Sequence, residues 1–123
     1  MKKIKMLITG ISGYIGDSLL KRFVEGNNDY EIILNFKNKP KDHDKYSKYQ
    51  NTYNSIEKTF SFEGNVDILV HIASEKYSIK KMWNTNYLGT KNILKWAVNS
   101  GVKKIIYISS VSVYGKGNFD IVT

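Results

Sequence analysis

The run Lys3-Ile-Lys-Met-Leu-Ile-Thr-Gly-Ile-Ser-Gly-Tyr-Ile-Gly16 decides how the rest of the chain is read. Its apolar residues Ile4, Met6, Leu7 and Ile8 stop at Thr9. Glycines stand at 10, 13 and 16, and an amphipathic run with Ile15, Leu19 and Phe23 then begins. A buried strand, a tight turn and a helix in immediate succession form the context that a dinucleotide-binding turn requires. Gly10 can take backbone angles closed to other residues, Gly13 lets a pyrophosphate approach the main chain, and Gly16 lets helix pack on strand. The N–H groups and positive dipole end of the helix would face the phosphates. Gly10, Ser12, Gly13, Tyr14, Ile15 and Gly16 are therefore the first candidate binding residues.

Outward from this turn, the pattern alternates between strands and helices. The first helix is expected from about Tyr14 to Glu25, closed by Gly26-Asn27-Asn28, and the second strand spans Tyr30 to Phe36. In a dinucleotide fold, the residue ending that strand reads the adenosine ribose: an acid favours NAD, a basic group NADP. No acid stands there, since Asp29 and Glu31 come too early, and Lys37 and Lys39 follow. These lysines favour NADP over NAD, with plain loop lysines as the alternative. Residues 40–50 read as a polar loop or a poorly ordered helix, a weak third strand is expected within 48–53, and Ser55–Phe62 reads as one short helix. Val66 to Ser74 is an apolar run suited to a parallel strand buried on both faces. Residues 79–99 form the longest helix candidate, with Met82, Trp83, Tyr87, Leu94 and Val98 as apolar positions and Gly101 as its stop. The stretch from Lys103 supplies a fifth strand.

Bulk properties narrow the classes of function. A chain of 123 residues with 41% hydrophobic and 24% charged residues reads as one folded domain. Without cysteine, disulfides and thiolate metal sites are excluded, and the chain suits a reducing cytoplasm. No apolar stretch approaches the ~20 residues that span a bilayer, and no signal-peptide pattern opens the sequence. The net charge of +8 comes from lysines spread over the whole length, with Arg22 as the one arginine. That distribution fits a solvated surface rather than a nucleic-acid interface. His43, between two aspartates, is read as surface and His71 as a packed strand histidine, so no metal site is expected.

Four segments share a resemblance. Thr9-Gly-Ile-Ser-Gly-Tyr-Ile-Gly16 resembles the Thr-Gly-x-x-Gly-x-x-Gly signature of extended short-chain dehydrogenases/reductases, the NAD(P)-dependent epimerase/dehydratase family. Asp67 to Ser74 resembles that family's Asp-x-x-x-His-x-Ala-Ala segment, with Ser74 in place of the last alanine. Asn86-Tyr-Leu-Gly-Thr90 is similar to its Asn-x-x-Gly-Thr, and Ser109-Ser-Val-Ser-Val-Tyr-Gly115 to its Ser-Ser-x-Ser-Val-Tyr-Gly. The resemblance implies a Rossmann-type doubly wound α/β fold with parallel strands in the order 3-2-1-4-5. It also places Ile72, Ala73 and Ser74 beside the cofactor's ribose and pyrophosphate. By the same match, Ser110 takes the catalytic serine position, Asn86 holds backbone and a proton-relay water, Gly89 allows close approach of helix to sheet, and Tyr114 packs the loop. The implied activity is hydride chemistry on a nucleotide-activated sugar, with NAD or NADP.

The chain also departs from that pattern. Relatives carry a helix with Tyr-x-x-x-Lys after the Val-Tyr-Gly, where the lysine lowers the tyrosine's pKa for general-base work. Here the strings Tyr77–Lys81 and Tyr87–Lys91 both precede the fifth strand and are rejected. The adenine-contacting aspartate that relatives place after the third strand has no equivalent beyond Asn51 or Asn54. The 123 residues are thus expected to form an incomplete dinucleotide-binding domain, truncated after the fifth strand and catalytically incompetent alone. The competing expectation is a non-catalytic dinucleotide-binding module. Uncovered apolar surface predicts a homo-oligomer or a complementing C-terminal chain.

Overall fold

The structure, a computed structural model, describes residues 2–26 and 29–110. Ser112, Tyr114 and Gly115 lie outside these described residues. Five strands form one parallel sheet: β1 (Ile4–Thr9), β2 (Tyr30–Phe36), β3 (Gln50–Tyr53), β4 (Ile68–His71) and β5 (Lys104–Tyr107). Their order is β3-β2-β1-β4-β5, as expected. Because every pair is parallel, all five carboxyl ends lie on one edge. The order reverses between β1 and β4, the switch point where ligands bind in open α/β sheets.

Alternation along the strands builds two cores, one on each face. Met6, Ile8, Ile32, Leu34, Phe36 and Val70 face helix α1 (Tyr14–Gly26), which contributes Leu20 with Leu19 and Phe23 beside it. Leu7, Ile33 and Leu69 point the other way, onto Ile93, Trp96 and Ala97 of the last helix and onto Ile56 and Phe60. That last helix is one rod over residues 79–99 with three geometries: α2 (Ile79–Met82), a π-helical segment (Trp83–Gly89) and α3 (Thr90–Asn99). Ser78 caps its start by accepting from the Lys81 amide. Its buried line is Gly89, Ile93, Trp96 and Ala97, so the apolar Trp83, Tyr87 and Val98 look outward.

Two expectations need correction. Residues 55–62 are not a helix. Ser55 Oγ accepts from the Glu57 amide, and the Ile56 carbonyl accepts from Asn92 Nδ2 at 3.0 Å, so the groups that would build helical bonds are engaged elsewhere. Ile56 and Phe60 are drawn into the second core instead. The fourth strand is shorter than the 66–74 run, although the Ile72 amide still donates to the Thr9 carbonyl at 3.2 Å and prolongs the pairing beyond His71.

Candidate functional site

The glycine turn sits at the carboxyl end of β1. Gly10 has φ +76°, and a Cβ there would run into the backbone of Ile72 and Ala73. Gly16 is equally constrained: a Cβ would strike the backbone of Gly10 and Ile11. Both are glycine because the fold demands it. Gly13 differs, because a Cβ would meet only the Gly10 carbonyl at an ordinary 3.6 Å, and its φ is not positive. Nothing in the described chain requires glycine there. The space it keeps open adjoins the first turn of α1, whose leading N–H groups have no intrahelical acceptor. Ser12, Tyr14 and Ile15 flank that opening and are all exposed. This is the cradle a pyrophosphate needs, and the residues present fit one.

Below the turn, Thr9 organises the floor. Its hydroxyl accepts from the amides of Ile72 and Ala73, at 3.2 and 3.3 Å. It therefore gives its own proton to His71 Nδ1, 2.6 Å away, which leaves Nε2–H to donate to the Thr90 hydroxyl at 3.0 Å. The chain of contacts ties β1, β4 and α3 together under the site. His71 is fully buried and stacks on Tyr107, and burial lowers its pKa to about 4, so the ring is neutral. It is a packed strand histidine, as its sequence context suggested.

The π segment carries Asn86. Its Oδ1 accepts from the Glu75 amide at 2.8 Å and its Nδ2 donates to the Glu75 carbonyl at 2.9 Å, so it clamps the loop leaving β4. The Glu75 carboxylate in turn accepts from the amides of Lys76, Tyr77 and Ser78, and these bonds hold its pKa below the ordinary glutamate value. Ser74 is exposed between this clamp and the half-buried Ala73. Ser110 is exposed just past β5, at the same edge of the sheet. Gly89 does allow a close approach, but its neighbour is the Ile56 side chain rather than a strand.

The β2 and β3 ends of this edge hold polar groups that the strand pattern alone does not single out. Asn35 pairs in register with Thr9 and is buried, and its Nδ2 donates to the Asn54 carbonyl. Its Oδ1 has no hydrogen-bond partner. A polar residue inside the apolar run 32–36 was the available signal. Lys37, expected to be a phosphate reader, lies 3.4 Å from Glu57 Oε1, and Lys39 is exposed. Asn51 faces the other way, donating to the carbonyls of Tyr46 and Tyr49, and Asn54 directly follows β3. A cleft of about 430 Å³ lined by Lys2, Lys3, Asp67, Lys103 and Lys104 lies at the opposite, amino edge of the sheet, and has no part in this site. Among the described residues no cluster of metal-ligating side chains occurs, and no helix is long and apolar enough to cross a membrane.

A parallel sheet in this order, with a glycine at positive φ and an open glycine leading into a helix at its switch point, defines a Rossmann-type dinucleotide-binding fold. The sequence matches the model of the NAD dependent epimerase/dehydratase family over residues 6–122. This chain belongs to that family. It is 34% identical to a UDP-N-acetyl-alpha-D-glucosaminuronate decarboxylase of Bacillus cytotoxicus over 95% of its own length and 39% of the relative's. Among solved structures, it superposes on the UDP-Glc/GlcNAc 4-epimerase of Campylobacter jejuni with a TM-score of 0.79 at 24% identity, covering 97% of this chain and 41% of that one. It superposes on the dTDP-glucose 4,6-dehydratase of Bacillus anthracis, solved in complex with NAD, with a TM-score of 0.71 at 21% identity, covering 98% and 42%. The chain thus spans about two-fifths of the length of these proteins.

Proposed function

We propose that these residues form the dinucleotide-binding part of an NAD(P)-dependent epimerase, dehydratase or decarboxylase acting on a nucleotide-activated sugar. The observation that carries the reading is Gly13, a glycine that its own fold does not need, placed where a pyrophosphate would lie on the amides of α1. Gly10, Ser12, Gly13, Tyr14, Ile15 and Gly16 would hold the phosphates, and Ile72, Ala73 and Ser74 would line the ribose next to the Thr9 floor. Asn35 would stand beside the adenosine ribose, at the strand end where an acid reads the 2′-hydroxyl in other dinucleotide folds. The bound nicotinamide would accept or donate a hydride. Ser110 would polarise the reacting sugar oxygen from the carboxyl edge, and Asn86 would keep the β4 loop shaped around the reacting groups.

The kinds of sugar nucleotide named for the relatives support the substrate class. Exposed Lys39, with Asn35 in place of a strand-end acid, supports acceptance of NADP besides NAD, and Lys37 would add to it only when released from Glu57. For the 123 residues by themselves we propose binding without turnover, because no Tyr-x-x-x-Lys follows Ser110 in this sequence to supply the general base. Thermal unfolding with and without cofactor tests the reading. A ligand present at 100 times its Kd raises folded-state stability by about 2.7 kcal/mol, an evident shift for a domain this small. Gly13→Ala should leave the ligand-free transition within about 1 kcal/mol and remove most of the cofactor shift. No shift with NAD or NADP in the unaltered chain would sink the proposal.

A further inference from the structure

The end of β2 is one strand spacing, ~4.8 Å, from the end of β1 that opens into the glycine turn. Charge next to it is therefore felt by whatever sits at the adenosine ribose. The carboxylate there does not come from β2 at all. Glu57, on the loop after β3, accepts from the Thr85 hydroxyl of the π segment at 2.9 Å and lies 3.4 Å from the Lys37 ammonium through the same oxygen, Oε1. The two partners are unequal. The Glu57 side chain is only 26% exposed, against 62% for Lys37. Glu57 is also fixed through its backbone: its amide is held by Ser55 Oγ, and the preceding carbonyl by Asn92 Nδ2. The buried Ile56 side chain, packed against Gly89, anchors the same loop. The carboxylate is thus set in place by the fold, and the lysine is a long, mostly solvated arm that comes to it.

We propose that Glu57 is the residue that sets this site's discrimination against a 2′-phosphorylated dinucleotide. It acts through its own negative charge and by occupying Lys37, the cation that would otherwise meet the phosphate. The inference rests on the dinucleotide reading above. A 2′-hydroxyl arriving at the β2 edge leaves the Lys37–Glu57 pair intact, whereas a 2′-phosphate must draw Lys37 away and remain near an uncompensated carboxylate. Asn35 cannot make the discrimination in its place, because its amide carries no charge.

The test is a fluorescence titration of NADH and NADPH into the unaltered chain, Glu57→Gln, Lys37→Met and the double variant. Glutamine keeps the shape and the acceptor for Thr85 while removing the charge. Glu57→Gln is expected to tighten NADPH on the order of fivefold and to change NADH less than twofold, with the gain shrinking as salt is raised. The double variant should lose that gain, because the released Lys37 is what supplies it. An unchanged NADPH-to-NADH ratio in a folded Glu57→Gln chain overturns the inference while leaving the dinucleotide site standing. Failure of the unaltered chain to bind either cofactor overturns the site reading itself, and this inference with it. Should Glu57→Gln not fold, Lys37→Met decides: with the lysine already held by Glu57, its loss should cost NADPH less than about threefold, and a larger loss contradicts the proposal.

Discussion

β1 and β5 are both short apolar strands of the same parallel sheet, yet they live in different surroundings. Leu7 and Ile8 of β1 are wholly buried, whereas Ile105, Ile106 and Tyr107 of β5 are 40%, 37% and 51% exposed. β1 is paired on both sides and covered by α1 on one face and by the 79–99 rod and residues 56–66 on the other. β5 pairs with β4 alone among the described residues. Apolar character therefore marks a strand of a parallel sheet but not its depth, which depends on what crosses over it. The candidate site groups follow the same division: the glycine turn rises from the deepest strand, and Ser110 from the most open one.

If depth is what separates the strands, trimming the same kind of side chain should give very different results. Leu7→Ala is expected to cost about 3–5 kcal/mol, because the neighbours from both layers cannot collapse into the space. Ile106→Ala should cost under about 1 kcal/mol, since water already reaches that side chain. Urea unfolding of the two variants reads both numbers. Equal losses would break the comparison and mean that the β5 face is covered in solution.

The glycine turn sharpens the contrast inside β1's own neighbourhood. Gly10→Ala forces a side chain into the backbone of Ile72 and Ala73 at φ +76°, and is expected to destabilise by about 2–4 kcal/mol with or without cofactor. Against the small structural effect expected for Gly13→Ala, this separates a glycine that serves the fold from one that serves a ligand. Comparable destabilisation by both substitutions, measured by calorimetry, would erase that separation.

Much of this was legible in the residues, and the failures have physical causes. The apolar runs at 4–8, 32–36 and 68–72 and the glycine spacing declare strands and a phosphate turn, and four motifs in order carried the sheet topology. Residues 55–62 were misread because a distant asparagine, Asn92, takes a carbonyl that local reasoning assigns to a helix. The π segment was invisible because widening one stretch of a helix leaves no mark in apolar periodicity, although it aims Asn86 at Glu75 and Thr85 at Glu57. Glu57 itself gave no signal, since it meets Lys37 across 20 residues of sequence. Asn35 does give one, a polar residue in a buried apolar run, although it is not the acid that a 2′-hydroxyl contact calls for.

Acidification probes the deep side of the sheet through His71. Its folded pKa is depressed to about 4 from 6.5, so above pH 6.5 both folded and unfolded chains hold it neutral. As pH falls from 6.5 to about 4, the unfolded chain takes up a proton that the folded chain refuses, and stability drops by about 3 kcal/mol. Asp17, Asp67 and Glu75, whose carboxyls are held below their ordinary values, add losses at lower pH. Replacing His71 by Gln should flatten the upper part of this profile and leave the carboxylate part. An unchanged slope between pH 6.5 and 4.5 in that variant would mean that the imidazole is not kept neutral by burial.

The smallest effect concerns the one place where the open strand protects the deep one. Tyr107 is half exposed, but its ring stacks on His71 with centroids 5.7 Å apart and planes 17° from parallel. Tyr107→Phe keeps that cover and should change stability by less than about 0.5 kcal/mol. Tyr107→Ala lets water reach the imidazole from the β5 side. Because desolvation is what depresses the His71 pKa, admitting water should raise it toward 6.5 and move the onset of acid unfolding upward. The sequence holds two histidines, so proton NMR can follow the His71 ring signals directly once a His43→Gln variant has assigned them. A His71 pKa unmoved by Tyr107→Ala would show that β4, the 79–99 rod and β1 seal the ring without help. The division between deep and open strands would then run between β4 and β5, with no exchange of cover across it.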